Sequence, residues 1–599
     1  MTFFAGCIPD IFQPSPFTGK AIFSDSSRFS AWRIVFLLTL KCSASFFSLG
    51  RRLPGENLFL EISSLIFEYM RLFKGILSCI VPTPVAPACI YPVTNLYPNI
   101  IRHWKKSKLL FKIFSSLPAM DIPAMPGYID GMRERQNILL ITSDQHRADS
   151  LGCYGHPCVR TPHLDILAEE GMMFTNAYSD CPVCIPARTT LVTGIQSHLY
   201  GKPEYCPSFR ISRPREKFLG SIIGSAGYGN AVVGKTHWHA DPDFDAGFNE
   251  WISYRTLERL QERLGYGMKT GIGRNEMIPM LDPLPPELCS TNWTVQKSIE
   301  FLEKHDHSRP FFLWTSMVHP HPENIIHEPY YSMYDDEDVP EAVIPRWSCS
   351  EETTPYAIRK IRYANSHSYM KDREARKARG VYYGMITNVD HQIGRLMGAL
   401  MKHDFWDNTV IIYTTDHGEH LGDYGTYFKG TMLESSARIP LIIRCPTTMK
   451  PHRGETCDSL VELADLLPTF CDIARTPAPD DVTGKSLLPL LDDHVKTVRD
   501  ELHGQIDNQH MFHDGRYKYL YFADDGAELI FDKSCDPFDE HNLVGDKELE
   551  ARLRQSFIRH LESESHPHLK DGKLLNLGRK IMDHDRFNIS GWLGFKGAG

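Results

Sequence analysis

The chain has 599 residues, of which 42% are hydrophobic and 23% charged, and a formal net charge of -9, which is ordinary for a globular protein. This charge argues against a general nucleic-acid binder, because such a protein needs a basic face to neutralise phosphates. Fifteen cysteines without regular spacing do not suggest a disulfide framework, so a mostly reduced chain is expected.

The first part of the chain differs from the rest. Residues 1–131 are rich in Phe, Ser, Ile and Pro and show no sustained helical or strand period. The apolar run 34–40 is too short to span a bilayer and begins late for a signal peptide, so no stable membrane span is expected. One hypothesis is that translation starts near Met132, which predicts a cytoplasmic protein. The alternative is a targeting or accessory region of a periplasmic or secreted protein.

Four apolar runs from residue 137 onward each end in side chains that can carry chemistry. The pattern predicts buried parallel strands, and ligands of such sheets gather at the carboxyl ends of the strands. The runs are 137–143, 230–233, 310–318 and 408–415. The residues that follow them are Asp144 and Gln145, Lys235 and His237, His319 and His321, and Asp416 and His417, with Lys429 just beyond. The sequence therefore predicts one site assembled from four strand ends.

Helical patterns lie between these runs, and the pattern changes after about residue 495. Thr161 and Pro162 are expected to open a helix that Gly171 closes, and helices are expected over 373–401 and 461–474. Later segments predict a small antiparallel sheet followed by a helix; they are 515–522, 528–531 and 547–563. The expected domains are therefore an unpatterned extension of 1–131, a catalytic domain of 132–494 and a smaller C-terminal domain and tail of 495–599.

The segment from Cys181 to Gly194 reads Cys-Pro-Val-Cys-Ile-Pro-Ala-Arg-Thr-Thr-Leu-Val-Thr-Gly. A helix beginning here places Cys184 and Arg188 on one face, and Pro186 suits its first turn. A nucleophile at this position faces free backbone N–H groups and the positive helix end, which attract anions. The alternatives are a buried structural cysteine, a Cys-x-x-Cys redox pair or half of a zinc site.

The run Cys-x-Pro-x-Arg from Cys184 to Arg188, with Thr-Gly following, resembles the signature of the sulfatase family. Other segments resemble the family's motifs in the same order; they are 137–144, 161–165, 174–178, 234–237, 320–322, 416–418, Asp532 and 536–543. The resemblance covers about 137–560. It implies an α/β fold, the alkaline-phosphatase-like sandwich, with a large, mostly parallel central sheet flanked by helices and a smaller C-terminal domain with an antiparallel sheet.

The resemblance implies a sulfuric ester hydrolase. In this family a maturation enzyme oxidises the cysteine to formylglycine (3-oxoalanine), whose hydrate attacks sulfur. The residues implied to hold one divalent cation are Asp144, Gln145, Cys184, Asp416 and His417. Mostly oxygen ligands favour Ca²⁺, with Mg²⁺ possible, and the imidazole also admits Mn²⁺.

Catalytic roles follow from the same resemblance. Arg188 is expected to orient the hydrate, and Lys235 and Lys429 to neutralise sulfate oxygens as charge develops. His237 is a candidate base for collapse of the sulfated intermediate. His321, together with Lys429, is expected to protonate the departing alcohol.

Two departures from the family pattern leave the substrate open. Gln145 stands where many members have Asp, and His417 where many have Asn, which also resembles a branch containing phosphonate monoester hydrolases and promiscuous arylsulfatases. Position 187 is Ala where Ser is common, which the family tolerates. A carbohydrate sulfate is the first expectation. Phosphonate or phosphate esters and choline or aryl sulfates are the alternatives, and the complete set of catalytic residues opposes a non-catalytic anion-binding relative.

Overall fold

The computed structural model describes residues 135–201, 203–239, 241, 244–266, 277–334, 338–364, 372–449, 453–492 and 495–579. All of them belong to one compact unit, 128–599. The predictions on 1–131, on the start of translation and on localisation lie outside the described residues. No helix within the described ranges combines the length and the apolar character that crossing a bilayer would need.

The described strands are numbered in chain order. They are β1 Asn137–Asp144, β2 Met172–Phe174, β3 Ala177–Tyr178, β4 Gly229–Gly234, β5 Glu250–Ser253, β6 Met280–Leu281, β7 Phe311–Pro320, β8 Ile325–Ile326, β9 Thr409–Thr415, β10 Leu441–Arg444, β11 Glu455–Cys457, β12 Val461–Glu462, β13 Leu502–Ile506, β14 Gln509–His513, β15 Tyr517–Phe522, β16 Ala527–Asp532, β17 Leu569–Lys570 and β18 Lys573–Leu574.

The described α-helices are numbered in the same way. They are α1 Pro162–Glu169, α2 Cys184–Thr193, α3 Leu219–Ser225, α4 Tyr254–Arg263, α5 Ser290–Lys304, α6 Tyr356–Ala364, α7 Asp372–Lys402, α8 Glu434–Ala437, α9 Leu466–Ala474, α10 Leu488–Leu491 and α11 Lys547–Ser563.

An eight-stranded sheet forms the centre of the fold, in the order β11-β2-β10-β9-β1-β7-β4-β5. The pairs from β9 through β1, β7 and β4 to β5 are parallel. β10 is antiparallel to both of its neighbours. Parallel strands need crossover connections, and the helices that make them cover the faces of the sheet.

Both faces of this sheet are buried, which explains why its strands are continuous apolar runs. Successive side chains of β1 point to opposite faces. Ile138 and Leu140 enter one hydrophobic core with α2, α3 and α9. Leu139 and Ile141 enter a second core with α1, α5 and α7. The result is the predicted α/β sandwich, a mostly parallel sheet between two layers of helices.

A smaller antiparallel sheet follows in the order β13-β14-β15-β16. On one face, Phe512 and Tyr519 pack against Leu553 and Phe557 of α11. On the other face, Met511 and its neighbours pack against the segment that leads into α2. The predicted antiparallel sheet and its helix are therefore present, while the domain boundary near residue 495 stays a prediction.

Two local predictions are wrong. The helix predicted over 461–474 begins only at Leu466, because Val461 and Glu462 pair with β3 and a capping box between Glu462 and Asp465 sets the turn that precedes the helix. Thr161 does not cap α1, since its hydroxyl accepts a hydrogen bond from the N–H of Gly152 instead.

Candidate active site

The carboxyl ends of β9, β1, β7 and β4, four neighbouring strands, lie at one edge of the central sheet. β1 and β9 are parallel and in register, so Asp144 and Asp416 leave the sheet side by side. β7 and β4 bring 319–321 and Lys235 to the other side of β1. The side chains that follow four separate strands in the sequence therefore meet in one region of the fold.

The helix α2 begins at Cys184 and places its side chain at the same edge. Val183 before it is extended, and Gly194 ends the helix with a φ of 68°, which glycine adopts without strain. Every residue of α2 is buried, so the helix is fixed by packing on all sides. The N–H groups of its first turn give position 184 a positive electrostatic environment.

The Cys184 sulfur lies among cationic groups. It is 3.2 Å from Nε2 of His417 and 4.0 Å from Oδ1 of Asp144. Burial raises the pKa of this thiol, but the charges of Lys429, Lys235 and His417 outweigh it and hold the pKa well below its usual value. The thiol is therefore an activated one, which ordinary buried structural cysteines are not.

Arg188 is fully buried and bridges the two carboxylates. Its Nε donates to Oδ2 of Asp416 at 2.7 Å, and one terminal nitrogen donates to Oδ2 of Asp144 at 2.9 Å. The other terminal nitrogen donates to the carbonyl of Lys235 and the hydroxyl of Ser316, at 2.8 and 2.9 Å. Arg188 thereby fixes both carboxylates through their Oδ2 atoms. Their Oδ1 atoms remain available to other partners.

Four of the predicted metal ligands form one cluster. The ligand atoms of Asp144, Cys184, Asp416 and His417 all lie within 4.8 Å of one another, and all four residues are buried. Gln145 adjoins the cluster with a left-handed φ of 65°, and its main-chain N–H donates to Oδ1 of Asp416 at 3.2 Å. Buried carboxylates beside an imidazole are a donor set suited to a divalent cation.

Two lysines lie beside the cluster. Nζ of Lys235 is 2.5 Å from Oδ2 of Asp144. Nζ of Lys429 donates to Oε1 of Gln145 and lies 3.1 Å from Nε2 of His321. Burial and the charges of Lys429 and Lys235 lower the pKa of His321 to about 4, so its imidazole is neutral at neutral pH and accepts from Lys429.

His237 lies where the site opens into a surface depression. Its φ is 47°, and among the described residues its Nδ1 has no hydrogen-bond partner. The depression carries aromatic, polar and charged side chains. Its lining includes Ile185, His237, His239, Trp251, Tyr254 and Arg255.

Cys181 is not part of this cluster. Both Cys181 and Cys184 are free thiols. Cys181 is buried, and burial together with the charge of Asp180 raises its pKa well above the usual value. The two cysteines therefore have opposite electrostatic environments, which speaks against a redox pair.

Glu419 is a buried residue of the site that the sequence reasoning missed. One carboxylate oxygen accepts from the N–H groups of Leu421 and Phe428, and the other accepts from the side-chain amide of Gln145. It therefore fixes both Gln145 and the loop that ends in Lys429. The sequence did contain a signal for this role, because Glu419 follows Asp416 by three residues at a strand end.

A mostly parallel sheet with acids at its strand ends, an activated cysteine at a helix N-terminus and two convergent lysines defines an ester hydrolase of the alkaline-phosphatase-like class. The sulfatase family model matches residues 136–476, and a model described as N-sulphoglucosamine sulphohydrolase, C-terminal, matches 422–566. The chain belongs to the sulfatase family and is a sulfuric ester hydrolase.

Individual relatives agree with this assignment. An arylsulfatase of Clostridium perfringens is 32% identical over 74% of this chain and 97% of its own. An N-acetylglucosamine-6-O-sulfatase of Bacteroides thetaiotaomicron is 24% identical over 75% of this chain and 91% of its own. The crystal structure of a phosphonate monoester hydrolase of Agrobacterium radiobacter is similar with a TM-score of 0.64 and 25% identity, covering 73% of this chain and 96% of that one.

Replacing Glu419 by glutamine is expected to lower kcat/KM for a sulfate ester roughly 10- to 100-fold, the usual effect of removing a partner that orients a metal ligand, which is the role expected of Gln145. The new NH₂ group would face an N–H donor, so Gln145 and Lys429 would lose their positions. Steady-state kinetics and a metal-binding titration measure this. Glu462→Gln, at a buried glutamate outside the site, is the control, and equal kinetics of the two variants would contradict the role given to Glu419.

Proposed function

We propose that the protein hydrolyses a carbohydrate sulfate ester with a formylglycine at position 184 and one divalent cation. The observation that carries the proposal is the position of the Cys184 sulfur, 3.2 Å from His417 and within 4.8 Å of the ligand oxygens of Asp144 and Asp416. The Cys184 sulfur occupies the position at which the oxygens of a hydrated aldehyde would lie. There they would be next to a bound metal and next to the cationic side chains that neutralise an anion.

The residues present fit a cation of the Ca²⁺ type. Oδ2 of both Asp144 and Asp416 is used by Arg188, which leaves the Oδ1 atoms near the sulfur of Cys184 and the ring of His417. We propose that these atoms and the side chain of Gln145 hold the ion. Mostly oxygen donors favour Ca²⁺ over softer ions, and Mg²⁺ or Mn²⁺ is the alternative.

A bound cation would act as a Lewis acid that polarises a sulfate oxygen and favours the deprotonated nucleophile. The chain's own residues do the rest. Lys235 and Lys429 flank position 184 and stabilise the charge that develops on the sulfate oxygens. Arg188 holds Asp144 and Asp416 in place and, in our proposal, also orients the nucleophile through them.

A formylglycine at position 184 would supply a geminal diol. One hydroxyl would serve as the nucleophile towards sulfur with the alcohol as the leaving group, and the other could lose a proton so that sulfate is released and the aldehyde restored. His237 borders both Cys184 and the depression, so it is placed to accept that proton. The neutral imidazole of His321 accepts from Lys429, and we propose that this pair supplies the proton for the leaving alcohol. A maturation enzyme that reads the Cys-x-Pro-x-Arg run would generate the aldehyde.

Two observations support a sugar as the alcohol. The depression next to His237 combines the ring of Trp251, the hydroxyl of Tyr254 and the imidazole of His239 with the charge of Arg255, and such mixed surfaces suit a sulfated sugar ring. One of the relatives is named an N-acetylglucosamine-6-O-sulfatase. The second candidate is a phosphonate monoester, which the similarity to the Agrobacterium enzyme favours.

A substrate panel tests the proposal directly. N-acetylglucosamine 6-sulfate, 4-nitrophenyl sulfate and a phenyl phosphonate monoester would be compared by kcat/KM. We expect both sulfates to be hydrolysed and the sugar sulfate to be preferred, because its ring fills the depression. A phosphonate monoester hydrolysed faster than both sulfates would contradict the proposal and favour the second candidate.

A further inference from the structure

A second cluster of metal-binding side chains lies at the far end of α2 from Cys184. His198 follows the helix, His503 belongs to β13, and Glu564 is the residue at which α11 ends. Their ligand atoms all lie within 4.8 Å of one another. His560, one turn earlier in α11, contacts the same carboxylate, since its Nε2 is 3.2 Å from Oε1 of Glu564.

One contact within the cluster, that of His503 with Glu564, fits a bound metal better than a hydrogen bond, whereas His198 and Glu564 are within hydrogen-bond geometry. Nε2 of His198 is 3.2 Å from both oxygens of Glu564, and Nδ1 of His503 is 3.3 Å from Oε2. Among the described residues, neither Nδ1 of His503 nor Oε2 of Glu564 has a hydrogen-bond partner, although both atoms are buried. The 3.3 Å distance between these two atoms is therefore not explained by a hydrogen bond. Neighbouring ligands of a tetrahedral Zn²⁺ with bonds of about 2.0–2.1 Å are roughly 3.3 Å apart.

The surrounding hydrogen bonds are those that a metal at Nδ1 of His503 would require. Metal at Nδ1 leaves the proton on Nε2, and Nε2 lies 3.1 Å from Nδ1 of His510. Nε2 of His510 in turn lies 2.8 Å from Nδ1 of His568. The three rings can therefore form one chain of neutral donors and acceptors. Partners of this kind fix the tautomer of a ligating histidine.

We propose that His198, His503 and Glu564 bind a zinc ion that is separate from the catalytic cation. Two imidazoles and one carboxylate are borderline ligands that suit Zn²⁺ and not Ca²⁺. Three protein ligands leave the fourth position of a tetrahedron to water.

The site would join three distant segments around the nucleophile helix. Residues within two positions of two of the ligands already contact Asp180, which precedes the nucleophile segment. The N–H of Ser197 donates to its carboxylate at 2.7 Å, and the N–H of Gln505 donates to its carbonyl at 2.8 Å. A metal joining His198 to β13 and α11 would therefore hold α2 in place from its C-terminal end. Its removal should lower stability and leave the chemistry at Cys184 intact.

The test is elemental analysis of the purified full-length protein, with His503→Gln and Glu564→Gln as the test variants. His566→Gln is the matched control, because the ring of His566 lies edge-on to that of His503 but its Nε2 bonds to Gln505. We expect one zinc per chain in the wild type and the control, less than a tenth of that in either test variant, and unchanged calcium in all. Co²⁺ added to the metal-depleted wild type should give the visible absorption of a tetrahedral site.

Thermal melts separate the proposal from a loss of folding. The test variants are expected to unfold cooperatively at a lower Tm, with normal sulfatase activity well below that temperature. Zinc retained by both test variants would place it elsewhere, and a wild type without zinc that also fails to bind Co²⁺ tetrahedrally would overturn the proposal. Neither result would affect the proposed sulfatase mechanism, which rests on calcium and Cys184.

Discussion

The Cys184→Ala variant is expected to lose nearly all sulfatase activity, by roughly 10⁴-fold or more, since removing a covalent nucleophile leaves only what binding and electrostatics can do. The fold should survive, because the change removes one buried sulfur atom from a helix held by packing on every side. Sulfate release and circular dichroism of the same preparation measure the two effects.

Cys181→Ala is the matched control. Cys181 is equally buried and three residues away, but its thiol pKa is raised, whereas that of Cys184 is lowered by Lys429 and Lys235. We expect this control to keep most of the activity. Equal losses in both variants would favour a Cys-x-x-Cys pair over a single nucleophile.

The chemical form of residue 184 gives a second measurement. An unmodified thiol would form a covalent thiosulfate with no easy way to release sulfate, whereas the second hydroxyl of a geminal diol can expel it. Mass spectrometry of the peptide containing Cys184 should show CHO or its hydrate in place of CH₂SH. An active enzyme with only the thiol at 184 would contradict the formylglycine mechanism.

The central sheet could be predicted from sequence because its strands are buried on both faces. Each strand is then a continuous apolar run, and β1, β4, β7 and β9 lie within about two residues of their predicted bounds. Polar residues after such runs necessarily face one edge, so Asp144 and Asp416 were expected to meet. The same pattern does not indicate that Val461 belongs to a strand, because a strand of two residues is too short to show a sequence period.

The contacts within the site were less predictable than its members. Arg188 was expected to orient the nucleophile, yet its donors bridge Asp144 and Asp416, a geometry that depends on the spacing of two strands. Glu419 was not predicted as a site residue because a carboxylate after a strand is common. Its burial against Gln145 is visible only in the three-dimensional structure. The distant cluster around His503 combines residues more than 300 positions apart, which no local motif can indicate.

The Asp416→Asn variant is expected to lose the catalytic cation and at least roughly 10³-fold in kcat/KM, because it removes one of the two carboxylates that we propose as ligands of the ion, and with it the charge stabilisation that the ion would supply. Oδ1 of Asp416 accepts from the N–H groups of Gln145 and His417, and Oδ2 accepts from Arg188. An amide cannot accept on both sides, so the NH₂ group must face a donor and the cluster opens.

Calcium analysis and kinetics of the purified variant measure this effect, with Asp390→Asn as the control. Asp390 is also a buried carboxylate, but it caps α1 by accepting from His163 and Leu164. The control should therefore lose stability and keep its calcium, whereas Asp416→Asn should lose calcium and stay folded. Chelation of the wild type should reproduce the kinetic loss, and Ca²⁺ should restore it. A metal-depleted wild type with full activity would contradict the metal-assisted mechanism, because Lys235, Lys429 and Arg188 would then suffice to stabilise the sulfate.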